Sequence, residues 1–326
     1  MSPALRRWLL RAGQLLLLVA IGWGLYHALA PELRGLRWED LAAWRPRAIP
    51  LIASTVLLTS VFLAHAWLWR RIMRDLDAPP ATARTALRVY FLAGLGRYIP
   101  GKLWQLAGLA LLAQGAGMPR GTAAAAAVFG QVGFLSTGLF LTALLLPQWA
   151  GGAPAWIGAV LLVLAGSGVW LVAATPLGHG LRARIAASNV AAGERALSAL
   201  GIADRVRPRD ALLWEIGYAL TWIALGLAFA LFVHAFTPVE ARTVPLLMGT
   251  IAASYLAGYV VLFAPAGVGV RESALALLLM RVVPDASAAV LISIASRLWF
   301  TAAELLPLLL LPVLRDRSTT SASVVA

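Results

Sequence analysis

Between Arg120 and Arg182 the chain carries no Asp, Glu, Lys or Arg, and a run of that kind has no place on a soluble surface. A helix crossing the hydrocarbon core takes roughly 20 apolar residues, so this window alone can hold two spans. Composition extends the argument to the whole chain: 61% of residues are hydrophobic and 13% charged, against about half and a quarter in soluble domains. The sequence is that of an all-α integral membrane protein.

A formal net charge of +13 in a soluble protein would suggest a nucleic-acid partner. Here the arginines lie mostly between hydrophobic segments, where they act as topology determinants and headgroup contacts; no nucleic acid is expected. Cysteine is absent, which excludes disulfides, thiolate metal sites and cysteine nucleophiles. Arg6, Arg7 and Arg11 precede the first apolar run, and Ala28-Leu29-Ala30 resembles a signal-peptidase site. The run is long for a signal core and Pro31 follows it, so a retained first span with a cytoplasmic N-terminus is expected.

Hydropathy places spans at 8–29, 48–69, 121–146, 155–174, 211–236, 243–263 and 287–312. Two apolar segments, 89–117 and 264–283, are interrupted. If 89–117 crossed fully, the arginine-rich stretch 175–210 would lie outside while Arg70, Arg71 and Arg74 stayed inside; the positive-inside tendency favours a segment that dips in and returns. For 264–283, Arg315 and Arg317 favour a crossing, giving about eight spans with both termini inside; a re-entrant hairpin would give about seven. Arg34, Arg37, Arg45 and Arg47, in the first outer loop, run against the rule. The expected organisation is one polytopic membrane domain over 1–312 and a polar tail over 313–326.

The interruptions carry the chemistry. Arg97-Tyr98-Ile99-Pro100-Gly101-Lys102 precedes the first apolar run, and Pro265-Ala266-Gly267-Val268-Gly269-Val270-Arg271-Glu272 the second. Pro100 and Pro265 stand about half of the 326-residue chain apart, and paired breaks in corresponding places point to a transporter's binding site. A helix starting at Pro100 and Gly101 presents free N–H groups and a positive dipole end. Lys102, the one lysine among the cations, is unfavourable there unless an anion sits opposite, and with Arg97 it forms a candidate phosphate receptor. The other reading is a surface Pro-Gly turn whose cations snorkel to headgroups.

Pro265, Gly267 and Gly269 make a continuous helix improbable and leave backbone groups that need water, protein or ligand. Arg271 and Glu272 follow; as neighbours on a helix they do not face each other, so each seeks another partner. Arg297 and Glu304 share one face of the last span roughly two turns apart and are placed to neutralise Glu272 and Arg271 or Arg97. The rival to a site role is an interhelical salt bridge that fixes packing. Glu215 reads as interfacial, His65 and His234 as structural, and Trp67, Trp69, Trp104, Trp149 and Trp156 as an aromatic belt. Of Gln105, Gln131 and Gln148, only Gln105 lies close to a break. Ser254 and Gly258, four apart, permit close helix contact within one chain or between chains. No Walker loop, zinc-protease signature or nucleophile elbow is present, so neither catalysis, metal nor cofactor is expected.

The stretch Gly96 to Gln105, with Pro265 to Glu272, resembles the two signatures of the lysylphosphatidylglycerol synthase transmembrane-region family, a flippase-like group. The second signature commonly reads Pro-Gly-Gly-x-Gly-x-Arg-Glu, and Ala266 departs from it with some loss of backbone freedom. Larger relatives join this membrane module to a cytosolic aminoacyl transferase, which this sequence lacks. The resemblance implies lipid translocation or lipid handling, with substrates that differ between members. Joined to the cationic breaks, it gives the expectation of an anionic lipid passed between leaflets of a bacterial inner membrane, with any lipid-synthesis enzyme a separate protein. On that reading Arg97, Lys102 and Arg271 engage the phosphate, while Glu272, Arg297 and Glu304 balance charge or meet a headgroup. A membrane-embedded transferase using Glu272 or Glu304, and a scaffold for a synthesis complex, are the alternatives.

Overall fold

The structure, a computed structural model, describes residues 45–79, 81–98, 103–145, 206–260, 267 and 269–310. The expectations for 8–29, 155–174, most of 175–210 and 313–326 lie outside the described residues, as do Pro100, Gly101, Lys102 and Pro265. The described elements are α1 (Ala48–Asp75), α2 (Ala83–Gly94), a 3₁₀ turn (Leu95–Tyr98), α3 (Leu103–Gly115), α4 (Arg120–Leu145), α5 (Pro208–Phe236), a second 3₁₀ turn (Ala241–Thr243), α6 (Val244–Val260), α7 (Val270–Leu279) and α8 (Ala286–Leu310). Five of these helices, α1, α4, α5, α6 and α8, are long and apolar enough to cross a membrane. They fall on the spans that hydropathy places at 48–69, 121–146, 211–236, 243–263 and 287–312.

The largest difference in extent is at the end of α1, which continues through Arg70, Arg71 and Arg74 to Asp75. Hydropathy stops at the first charge, but backbone hydrogen bonding does not. Arg70 Nε donates to Ala81 O at 3.0 Å, and Arg71 pairs with Asp75 at 2.8 Å. Basic side chains also suit a helix C-terminus.

α1 and α5 form the antiparallel spine. At one end Arg47 N donates to Ala235 O at 2.8 Å; at the other Trp214 Nε1 donates to Asp75 Oδ2 at 2.9 Å. Trp69, Trp222, Phe229, Phe232, Leu247, Ile251 and Leu275 are fully buried, whereas Ile49, Leu298, Leu309 and many other aliphatics face outward. Lipid tails are as apolar as these side chains, so close packing has to hold the helices together. Gly138 is one tight point: a Cβ there would stand 2.5 Å from the Trp222 ring. That ring cannot yield, because it stacks on Phe134 at 4.5 Å and its Nε1 donates to Phe134 O at 2.7 Å.

The interrupted segments hold the short helices. α2 has 12 residues, α3 13 and α7 10; at ~1.5 Å per residue these reach about 18, 20 and 15 Å, well short of a core of roughly 30 Å. α2 and α3 double back on each other: Gly108 lies against Ala93, and Gly96 against the Trp104 and Gln105 backbone. This is the shape expected of a segment that dips in and returns. The segment 264–283, expected as a crossing, contains a half-length helix packed between α6 and α8. Ser254 and Gly258 are both buried within this chain, Gly258 against Arg271, so their small-residue spacing serves an internal contact.

We expect Gly138→Ala to lower stability by roughly 1–3 kcal/mol through overpacking, seen as a lower Tm in detergent-solubilised protein. Leu298→Ala, on the outward face, should shift stability by no more than about 0.5 kcal/mol.

Candidate functional site

At the second break the backbone takes conformations that β-carbons oppose: Gly267 has φ 70° and Gly269 φ 84°. A side chain at Gly267 would also strike the Gly258 backbone, whose oxygen lies 2.9 Å from the position of a Cβ. The chain thus presses flat against α6 before α7 begins. Glu272, the third residue of α7, reaches back to accept from Gly269 N–H at 2.7 Å, satisfying a donor the helix start leaves open. Ser293 Oγ on α8 donates to Glu272 O.

With α7 so fixed, Arg271 enters the interior. It is 6% exposed, and its Cζ sits 3.8 Å from the Phe300 ring centre and 5.7 Å from that of Tyr255. Its Nε and Nη2 are buried with no hydrogen-bond partner among the described residues. Cation–π contact offsets part of that cost, but a guanidinium has five donors to satisfy.

The first break reaches the same place from the α2–α3 turn. Arg97 Nε donates to Gly94 O at 3.2 Å and pairs with Glu304 Oε1 at 3.1 Å. Arg297, on the same face of α8, pairs with Glu272 Oε1 at 3.2 Å. A cavity of about 150 Å³ lies between, and Arg97, Arg271, Arg297 and Glu304 all line it. The described charged groups here are three guanidiniums and two carboxylates, each carboxylate engaged by an arginine. One positive charge, that of Arg271, remains without a counter-ion among them.

Several residues take positions their sequence context did not indicate. Gln131 lines the cavity together with Gln105, because α4 packs on α3. Trp69 is buried at 1% exposure and lines the cavity instead of joining a belt; Trp67 and Trp104 are exposed, while Trp149 and Trp156 lie outside the described residues. His65 bonds Thr221 Oγ1 at 3.0 Å, as a structural histidine would, yet also touches the cavity. His234 is remote: its Nδ1 accepts from Val239 N–H at 3.1 Å. Glu215 accepts from Ser136 Oγ at 3.0 Å, inside the α4–α5 contact, so it is a packing residue more than an interfacial one. Tyr90, Tyr255, Tyr259 and Phe300 were not singled out from sequence. Tyrosines inside apolar spans, at a helical spacing in the case of 255 and 259, were the available signal.

These features define a class: an all-helical, multi-pass membrane protein whose two interrupted segments meet at a buried, net-cationic cavity. The profile of the lysylphosphatidylglycerol synthase TM region matches residues 12–303, and the chain belongs to that family. The family places it in lipid handling at the membrane. No curated protein matches the chain, and no solved structure does.

The two ion pairs are separable by mutation. In a double-mutant cycle on Arg97→Leu and Glu304→Leu, read by thermal unfolding, a coupling of roughly 1–3 kcal/mol is expected. Additive single effects would show that the pair does not hold the α2–α3 turn to α8.

Proposed function

We propose that the protein carries an anionic phospholipid between leaflets, with the lipid phosphate held by Arg271 in the cavity where the two breaks meet. The observation that carries this reading is the buried guanidinium without a hydrogen-bond partner at Nε and Nη2. A buried charge is costly unless paired, and a phosphate supplies both the opposite charge and acceptors matched to the guanidinium fork. Arg97 lines the same cavity, and Lys102, five positions later in sequence, is the further cation assigned to the phosphate. Glu272, Arg297 and Glu304 balance charge. The breaks expected from sequence at Pro100 and Gly101 and at Pro265, with Gly267 and Gly269, are on this reading where the elements rearrange during access. A bacterial inner membrane, with the N-terminus cytoplasmic and a separate enzyme supplying the lipid, completes the proposal. The transferase and scaffold readings draw on no comparable observation.

Arg271→Leu separates function from structure. Replacing an uncompensated buried charge by an apolar group is commonly neutral or stabilising, so its Tm should equal or exceed that of the wild type. Transfer of a fluorescent anionic phospholipid between the leaflets of proteoliposomes should fall by about tenfold or more, corresponding to about 1.4 kcal/mol of lost binding. Wild-type transfer by Arg271→Leu would remove the cavity from the mechanism.

A further inference from the structure

We infer that the headgroup accepted by this cavity is a phosphodiester extended by a neutral, hydroxyl-rich group, a glycerol or other polyol, and not by an ammonium. The inference rests on the lipid-carrier reading and narrows its substrate class.

The first argument is charge. An ammonium-bearing headgroup brings a cation next to its phosphate, and that cation needs an acceptor. The described carboxylates at the site are Glu304 and Glu272, and guanidiniums hold them at 3.1 and 3.2 Å. Admitting an ammonium would add a fourth cation to Arg97, Arg271 and Arg297 without adding an anion beyond the phosphate. A monoanionic phosphodiester with a neutral extension brings the described set to charge balance.

The second argument is the aromatic lining. Rings can bind ammonium groups through their faces, which would offer a route around the missing carboxylate. Three of the rings that line the cavity already have a face or edge engaged. Arg271 already lies over Phe300 and Tyr255, and Phe134 stacks on Trp222 while meeting Tyr255 edge-on at 5.2 Å.

The third argument is what remains. The other polar groups around the cavity include Tyr90, Tyr255, Gln105 and Gln131: hydroxyls and carboxamides, neutral, each able to donate and accept. That inventory matches hydroxyl groups, which also donate and accept. A cavity of about 150 Å³ takes a body of benzene size, which suits a phosphate or a small polyol and leaves the acyl chains outside.

The test is a binding comparison on the full chain in a neutral detergent, with phosphatidylglycerol, phosphatidic acid, phosphatidylethanolamine, an aminoacyl ester of phosphatidylglycerol, and free glycerol phosphate as probes. Phosphatidylglycerol should bind about tenfold or more tightly than either ammonium-bearing lipid, a margin of one good discriminating interaction. Phosphatidic acid, lacking the polyol, should fall between them. Gln131→Leu should narrow the preference for phosphatidylglycerol over phosphatidic acid about threefold or more, as loss of one neutral hydrogen bond predicts. Equal or tighter binding of an ammonium-bearing lipid, with binding still abolished by Arg271→Leu, overturns the headgroup inference and leaves the carrier reading intact. Binding that ignores Arg271→Leu overturns both. Free glycerol phosphate binding as tightly as the lipid would make the ligand a soluble ester and end the lipid assignment.

Discussion

Two ion pairs on one face of α8 hold together what the two backbone interruptions would otherwise leave loose. A chain inside a bilayer must satisfy its own polar groups, so irregular backbone survives only where protein or a cavity surrounds it. α2, α3 and α7 are each too short to cross and are fixed by contacts with full-length helices. Arg97 ties the α2–α3 turn to Glu304, and Glu272 ties α7 to Arg297. Because Arg297 and Glu304 belong to one helix, α8, any displacement of that helix bears on both interrupted elements together.

Glycine sets the geometry that charge then exploits. Gly258 has Arg271 Cβ 2.8 Å from where its own Cβ would be, and Gly267 presses on the Gly258 backbone. Only with both side chains missing can the break lie close enough to α6 for Arg271 to point across to Phe300. Gly96 does the equivalent at the first break, against Trp104 and Gln105. Close approach is therefore placed where each basic residue must be aimed, and it accounts for small residues that would otherwise weaken helices.

The spans could be read from hydropathy because a bilayer demands length and apolarity of every crossing helix, and α1, α4, α5, α6 and α8 each meet that demand without help. The breaks were legible because Pro100 and Pro265, with their glycines, deny a continuous helix. The charge on α8 was partly legible: a seven-residue spacing puts Arg297 and Glu304 on one face about two turns apart, too far to touch each other readily. Which partner each takes depends on how α2, α7 and α8 pack, and no periodicity encodes that. Trp69 and Gln131 illustrate the same limit from the other side. Their hydropathy allows membrane interface, core or cavity, and only the packing of α1 on α2 and α4, and of α4 on α3, decides.

Charge balance also bears on how such a site can both hold a ligand and release it. With its ion pairs intact, the described site carries one excess positive charge, partly relieved by the Phe300 ring at 3.8 Å. Were every cation left without a counter-ion, an anion would be bound too strongly to leave; were each matched, nothing would favour its entry. One unmatched guanidinium lies between these limits. On the proposed reading a monoanionic phosphate offsets the excess charge of the described groups, which removes much of the penalty that a net charge incurs in a medium of low dielectric. On that reading the occupied state rearranges at a lower electrostatic cost than the empty one, so the imbalance proposed to attract the anion would tie rearrangement to occupancy.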